Sequence, residues 1–116
     1  MKEEKIILSS GNRKVLLEAK VVRGLGRFLG LMFSRREKAK ILLFKFRKPV
    51  KMAIHSFFVF YPFLAIWRDS DGKIMEIKKV MPFSGYVCPP KSFKSFVEIP
   101  LNRKYKKITD AVERFK

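Results

Sequence analysis

Phe63-Leu64-Ala65-Ile66-Trp67-Arg68, Asp69-Ser70-Asp71-Gly72 and Lys73-Ile74-Met75-Glu76-Ile77-Lys78-Lys79-Val80 decide the fold. The first segment is an apolar run too short for a helix with a solvent face, rich in aromatic and branched side chains. The second is turn chemistry. Asp71-Gly72 predicts a two-residue type I′ hairpin, whose central residues both need positive φ. The third returns as a strand. A buried strand hairpin is therefore the nucleus from which the rest of the chain is read.

Working upstream, no charged residue occurs from Met52 to Trp67. A membrane-spanning helix needs about 20 apolar residues, and this run is shorter and interrupted by His55, Ser56 and Pro62. Two core strands, 53–61 and 63–68, divided at Pro62, are the expectation. Ile41 to Phe46 predicts another strand, apolar on both faces apart from Lys45. Lys48-Pro49 should end it, because proline removes a ladder donor. Val15, Leu17, Ala19 and Val21 alternate with Lys14, Leu16, Glu18 and Lys20, the pattern of a strand with one buried face. A short strand at Lys5 to Leu8 precedes it across the turn-forming Ser9-Ser10-Gly11-Asn12.

Downstream, 81–85 and Cys88-Pro89-Pro90 form a loop rich in breakers. A last strand runs from Phe93 to Ile99 and should stop at Pro100. Arg27 to Phe33 predicts a short apolar turn. Near the C-terminus Ile108, Ala111, Val112 and Phe115 follow helical spacing, and Asp110 with Glu113 resembles a capping box, which places a helix roughly at 109–116. The expected class is mainly β: a small barrel or jelly-roll-like sandwich of about seven strands with one or two short helices. The 116 residues fit a single domain.

Charge is the outlying property. Lys and Arg total 27 against 10 Asp and Glu, a net charge of +17, while the apolar fraction of 47% with twelve Phe supplies a core and argues against disorder. Such an excess attracts polyanions, nucleic acid first among them. Arg23, Arg27, Arg35, Arg36, Lys38 and Lys40 form one cluster, continued by Lys45, Arg47, Lys48 and Lys51; Arg103, Lys104, Lys106 and Lys107 form another. If the first shares a face it can neutralise phosphates, with Phe28, Phe33 and Tyr105 as stacking candidates. The plainer alternative is a solvated basic surface over core phenylalanines.

Catalytic constellations are thin. One Cys and one His exclude a Cys- or His-rich zinc site and any intrachain disulfide. Cys88 and His55 are the one conventional nucleophile–base pair, set against structural roles for each. Asp69 and Asp71 read as turn residues, and Glu76 and Glu98 as strand residues facing solvent or a lysine. Gly24, Gly26 and Gly30 are spaced G-x-G-x-x-x-G, which is not the dinucleotide fingerprint and lacks its βαβ context. No cofactor or metal signature emerges. The N-terminus lacks a signal-peptide pattern, so a soluble, cytoplasmic monomer is expected.

Three blocks, in order, carry a resemblance. They are 27–35 (Arg-Phe-Leu-Gly-Leu-Met-Phe-Ser-Arg), 41–46 (Ile-Leu-Leu-Phe-Lys-Phe), and 61–67 (Tyr-Pro-Phe-Leu-Ala-Ile-Trp) running on to Asp71-Gly72-Lys73-Ile74. Cys88-Pro89-Pro90 and Val97-Glu98-Ile99-Pro100 add to them. Over roughly residues 15–105 the chain resembles the domain of unknown function 192 family, also called uncharacterised protein family 0127. The resemblance implies a compact, mostly β domain of barrel or jelly-roll character and no established activity. Many members carry a Trp-Met-Lys-Asn-Thr-like stretch before the proline, where this chain has His55 to Val59. Members often place Asp two residues after that proline, where this chain has Leu64. Any polar pocket formed there would be apolar in this chain, leaving a ligand-sized apolar cleft as an alternative.

Three functional readings follow. The first is a non-catalytic binding domain whose basic face engages an anionic partner such as nucleic acid. The second is an enzyme or small-molecule binder with an apolar pocket near Met32, His55 and Cys88. The third is a protein-interaction module using exposed phenylalanines.

Overall fold

The hairpin predicted at Asp71-Gly72 lies at one edge of a curled, mainly β sheet. The computed structural model describes residues 3–22, 40–51, 54–55, 61–81, 86–87 and 91–115. Its strands are β1 (Glu3–Ser10), β2 (Arg13–Val22), β3 (Leu42–Val50), β4 (Ile54–His55), β5 (Phe63–Arg68), β6 (Ile74–Val80), β7 (Tyr86–Val87) and β8 (Phe93–Pro100), followed by helix α1 (Lys106–Glu113). Six strands form one sheet in the order β1-β2-β3-β8-β5-β6, and β4 pairs with β7 in a separate two-stranded ribbon. All pairings in the large sheet are antiparallel except β2 with β3, whose crossover the long connection between them permits. The sheet curls into a half-barrel.

Alternation explains the two cores. On the concave side, Leu8, Leu17, Leu43, Leu64, Ile66, Val97 and Ile99 pack together, and α1 closes over them with Val112. On the other side, Leu42, Phe44, Phe63, Ala65, Trp67 and Phe96 form a second, aromatic-rich core. Trp67 and Phe96 approach at 5.3 Å between ring centroids, and Phe44 meets Phe96 at 5.8 Å. Because β5 feeds both cores, Phe63 through Trp67 are all buried. That is why its sequence runs apolar without alternating. β2 instead buries Leu17, Ala19 and Val21 and leaves Leu16 exposed, matching its alternating pattern.

Several local expectations change. The β5–β6 connection is a three-residue loop: Gly72 N donates to Asp69 O at 3.0 Å, and Asp69 N donates to Lys73 O at 2.9 Å. This is the wider hairpin in which a type I turn is followed by a left-handed glycine, rather than the predicted type I′ turn. Gly72 has φ +80°. Asp69 wins the turn by accepting from both Asp71 N and Lys73 N through Oδ1, each at 2.9 Å. A Cβ at Gly72 would meet only Arg68 Nη2 at 3.7 Å, so backbone conformation, not space, demands glycine. Gly72→Ala should therefore lower stability by about 1–2 kcal/mol in chemical denaturation, and Gly72→Asn should cost less.

β3 does not stop at Pro49. It pairs with β8 through Lys45↔Ser95, leaves the ladder, and rejoins at Val50↔Phe93, so that Phe46, Arg47, Lys48 and Pro49 stand opposite Lys94 alone. Pro49 lies in this excursion, where its missing N–H costs no ladder bond. β8 likewise includes Pro100, paired with Phe63. Helix α1 begins at Lys106, earlier than the expected 109, and Asp110 lies within it. Asp110 bonds Lys106 Nζ at 2.9 Å one turn away, while Asn102 Oδ1 accepts from Tyr105 N at 3.0 Å to organise the turn entering the helix. The capping-box expectation fails because the helix starts at Lys106, which leaves Asp110 in its interior, and its N-cap position, Tyr105, carries no side-chain cap. The predicted strand 53–61 is described only at Ile54–His55 and Tyr61, and the predicted turn at 27–33 lies outside the described residues.

Candidate anion-binding surface

Of the basic residues that the sequence singled out, Lys45, Arg47, Lys48 and Lys51 lie along the β3 excursion or at its ends. All four are exposed. The ladder adds two more that a linear reading overlooked. Val50 pairs with Phe93 and Lys45 with Ser95, so Lys94 lies directly across the excursion, and Lys91 precedes the same end of β8. Phe46 anchors the excursion: its ring meets Phe93 edge-on, with centroids 5.6 Å apart and planes at 84°. Half-buried, it fixes the backbone that carries Arg47 and Lys48 outward.

Acidic groups enter this surface at one edge. Lys45 Nζ contacts Glu4 Oε2 at 3.2 Å, an exposed pair that contributes little to stability. Nearby, Ser95 pairs with both Lys45 and Arg68 in register, so a polar row crosses β3, β8 and β5. Burial pushes the Arg68 guanidinium below its ordinary pKa, while Glu4 and Asp69 pull it back up. Arg68 Nε has no hydrogen-bond partner among the described residues.

The second basic group lies elsewhere. Arg103, Lys104, Lys106 and Lys107 are exposed on the turn before α1 and on the helix itself. Lys104 Nζ sits 5.4 Å over the ring of Tyr105, which is half-buried against the concave core. A cleft of 340 Å³ beside them is lined by Glu3, Glu18, Lys20, Lys40, Lys104 and Tyr105, among others. Within it Glu3 and Glu18 share a hydrogen bond, which lowers the pKa of Glu3 and raises that of Glu18. The three lysines there add to the lowering at Glu3. The β8 end leading to this region and the β3 excursion lie at opposite ends of one ladder. At about 3.3 Å per residue the separation is on the order of 20 Å. The two basic groups are separate surfaces.

Other candidates divide differently. Arg23, Arg27, Met32, Arg35, Arg36 and Cys88 lie outside the described residues, as do Phe28 and Phe33. His55 is placed by backbone pairing with Tyr86 in the β4–β7 ribbon. Of the two places expected for Glu98, solvent or a lysine, the first does not hold: it is only 8% exposed. It pairs with Leu42 and Ala65 on the central strand β8, both of whose faces are covered, so no solvent face existed for it. Leu64 is fully buried in the concave core, packed rather than lining an open cleft. Among the described residues no three of His, Cys, Asp and Glu gather as a metal site, and no helix is long and apolar enough to cross a membrane.

The fold sets the class: a mainly β half-barrel of six strands with one short helix. The chain belongs to the DUF192 family, described as Uncharacterized ACR, whose profile matches residues 7–108. A comparison with curated proteins returns no significant match. Two crystal structures share the fold. One is a Sinorhizobium meliloti 1021 protein provisionally described as a transcription regulator, with 21% identity and a TM-score of 0.77, covering 93% of this chain and 87% of its own. The other is a protein of unknown function from Novosphingobium aromaticivorans DSM 12444, with 14% identity and a TM-score of 0.75, covering 92% and 79% respectively. At these identities the likeness establishes fold.

Proposed function

We propose that the protein is a non-catalytic binding domain whose β3 excursion, with Lys91 and Lys94 from β8, engages the phosphate backbone of nucleic acid. The observation that carries this reading is the convergence of Lys45, Arg47, Lys48 and Lys51 with those two lysines at one end of the sheet. Phosphates need positive charge at backbone-like intervals, held without a large ordering cost on binding. A short protrusion pinned by Phe46 meets that need better than six cations on mobile tails. The provisional description of the S. meliloti protein as a transcription regulator is compatible with this reading and adds little weight at 21% identity.

The test is an anisotropy titration of the protein with labelled single- and double-stranded DNA and RNA. With about six phosphate contacts, affinity should fall by roughly 10³-fold between 50 and 200 mM salt. Absence of binding at 50 mM would overturn the proposal. Salt-independent binding would point to a different kind of contact and would overturn it too.

A further inference from the structure

The cleft beside the second basic group is a pocket in its own right. β2 pairs with β3 only at Lys20, Val21 and Val22, and Lys20 N donates to Ile41 O at 2.9 Å. Backbone groups alternate sides along a strand, so those of Leu16 and Glu18 point the same way as Lys20 N, where no described strand pairs with them. The cleft of 340 Å³ lies along this open stretch, between β2 and the turn that enters α1. That volume falls within the range of small-ligand sites. Leu16, Leu17 and Ile108 give it apolar lining, and Tyr105 stands half-buried beside them. Lys104 Nζ reaches over the Tyr105 ring at 5.4 Å, so one face of that ring is open to groups arriving from solvent.

The charges in the cleft select its occupant. Lys20, Lys40 and Lys104 supply cations, and Glu3 with Glu18 supplies a hydrogen-bonded carboxyl pair. Two carboxyl groups held that close favour a ligand that brings hydrogen-bond donors to them. A bare phosphate would satisfy the lysines and set more negative charge against the carboxyls, and a metal or ammonium ion would do the reverse. A ligand with donors at one end, an anion at the other and a flat apolar body between them suits every part of the lining. Among the common nucleobases guanine alone carries two adjacent donors, N1–H and the N2 amino group, on its Watson–Crick edge. Adenine, cytosine and uracil set each donor there beside an acceptor. We propose that this cleft binds a guanosine nucleotide, with the base edge on Glu3 and Glu18, the base face against Tyr105 and the phosphate on Lys20, Lys40 and Lys104. The site shares no residue with the β3 excursion, and the inference does not rest on nucleic-acid binding there.

The test is a calorimetric titration of the full chain with GMP, IMP and AMP at low salt. All three carry the same phosphate, so attraction to a cationic protein affects them equally. IMP lacks the N2 amino group, and AMP presents one donor beside an acceptor. GMP should bind about tenfold or more tightly than AMP, the discrimination expected of one bidentate contact, with IMP between them. E3A/E18A, at two exposed positions, should remove that preference while leaving AMP binding no weaker. K20Q/K40Q/K104Q should weaken all three nucleotides together. Equal affinity for GMP and AMP, a guanine preference that survives E3A/E18A, or no binding of any nucleotide would overturn the proposal. A short labelled oligonucleotide ending in guanine, set against the same one ending in adenine, identifies the source of the ligand. A guanine advantage there that GMP competes away gives a nucleic-acid strand, an advantage confined to the mononucleotide gives a free nucleotide, and each supports the site. R47Q/K48Q/K51Q should keep the preference for GMP, so failure at one surface is distinguishable from failure at the other.

Discussion

Trp67→Ala should lower the free energy of unfolding by about 3–5 kcal/mol, enough to unfold a large fraction of a marginally stable domain. Trp67 has no exposed surface, and its ring packs on Phe96 at 5.3 Å within the convex-side core. It lies on β5, which is paired on both sides, with Glu76 of β6 on one flank and Phe96 of β8 on the other. Removing the indole leaves a cavity that this doubly clamped strand cannot collapse to fill. The comparison with Trp67→Phe sharpens the cause. The Trp67 indole N–H is buried without a hydrogen-bond partner among the described residues, so phenylalanine removes an unsatisfied donor while keeping most of the ring volume. Its cost should be less than half that of alanine. Denaturant titration of both variants checks this. Equal losses would mean that the indole nitrogen contributes to the fold through a contact not described above.

The second large effect concerns binding. R47Q/K48Q/K51Q should weaken nucleic-acid affinity by on the order of 10³-fold at 50 mM salt and reduce the magnitude of the salt slope by about three. All three residues are exposed, and Arg47 and Lys48 belong to the stretch that leaves the ladder, so the fold should be unaffected. K106Q/K107Q removes charge from the other basic surface, about 20 Å away along the ladder. If that pair weakened binding as much per charge, the protein would be acting through its net charge of +17 rather than through a built surface. A normal unfolding curve for each variant separates lost contacts from lost structure.

How much of this was legible in the sequence depends on the range of the forces involved. β2 was readable because one face meets the core and the other meets water, which writes a two-residue period into the chain. The resemblance carried by the blocks at 27–35, 41–46 and 61–74 named the family that the match over residues 7–108 then established. Pro49 misled, because the rule that proline ends a strand assumes a continuous ladder, and only the pairing with β8 reveals four residues facing one. Asp110 and Glu113 had the right spacing for a cap, but the helix starts at Lys106 after a turn in which Asn102 accepts from Tyr105 N, so Asp110 falls inside it. Glu98 read as facing solvent or a lysine, and its burial was hidden because nothing local tells a central strand from an edge strand. In the candidate site, Lys45 to Lys51 were visible as a run of charge. Lys91 and Lys94 were not, because the sheet rather than the chain makes them neighbours.

The detour in β3 has a consequence for how this surface can vary among relatives. The strand is in register with β8 before Lys45 and again at Val50, so the pairing on either side does not depend on what lies between. Residues inserted or deleted there change loop-closure entropy only slowly with length and leave the inward and outward sets of side chains undisturbed. The span from Arg47 to Pro49, held on the Phe46 anchor, is therefore a cassette. Its length and charge can change while the barrel around it stays constant, so chains with the same fold can differ in what they hold.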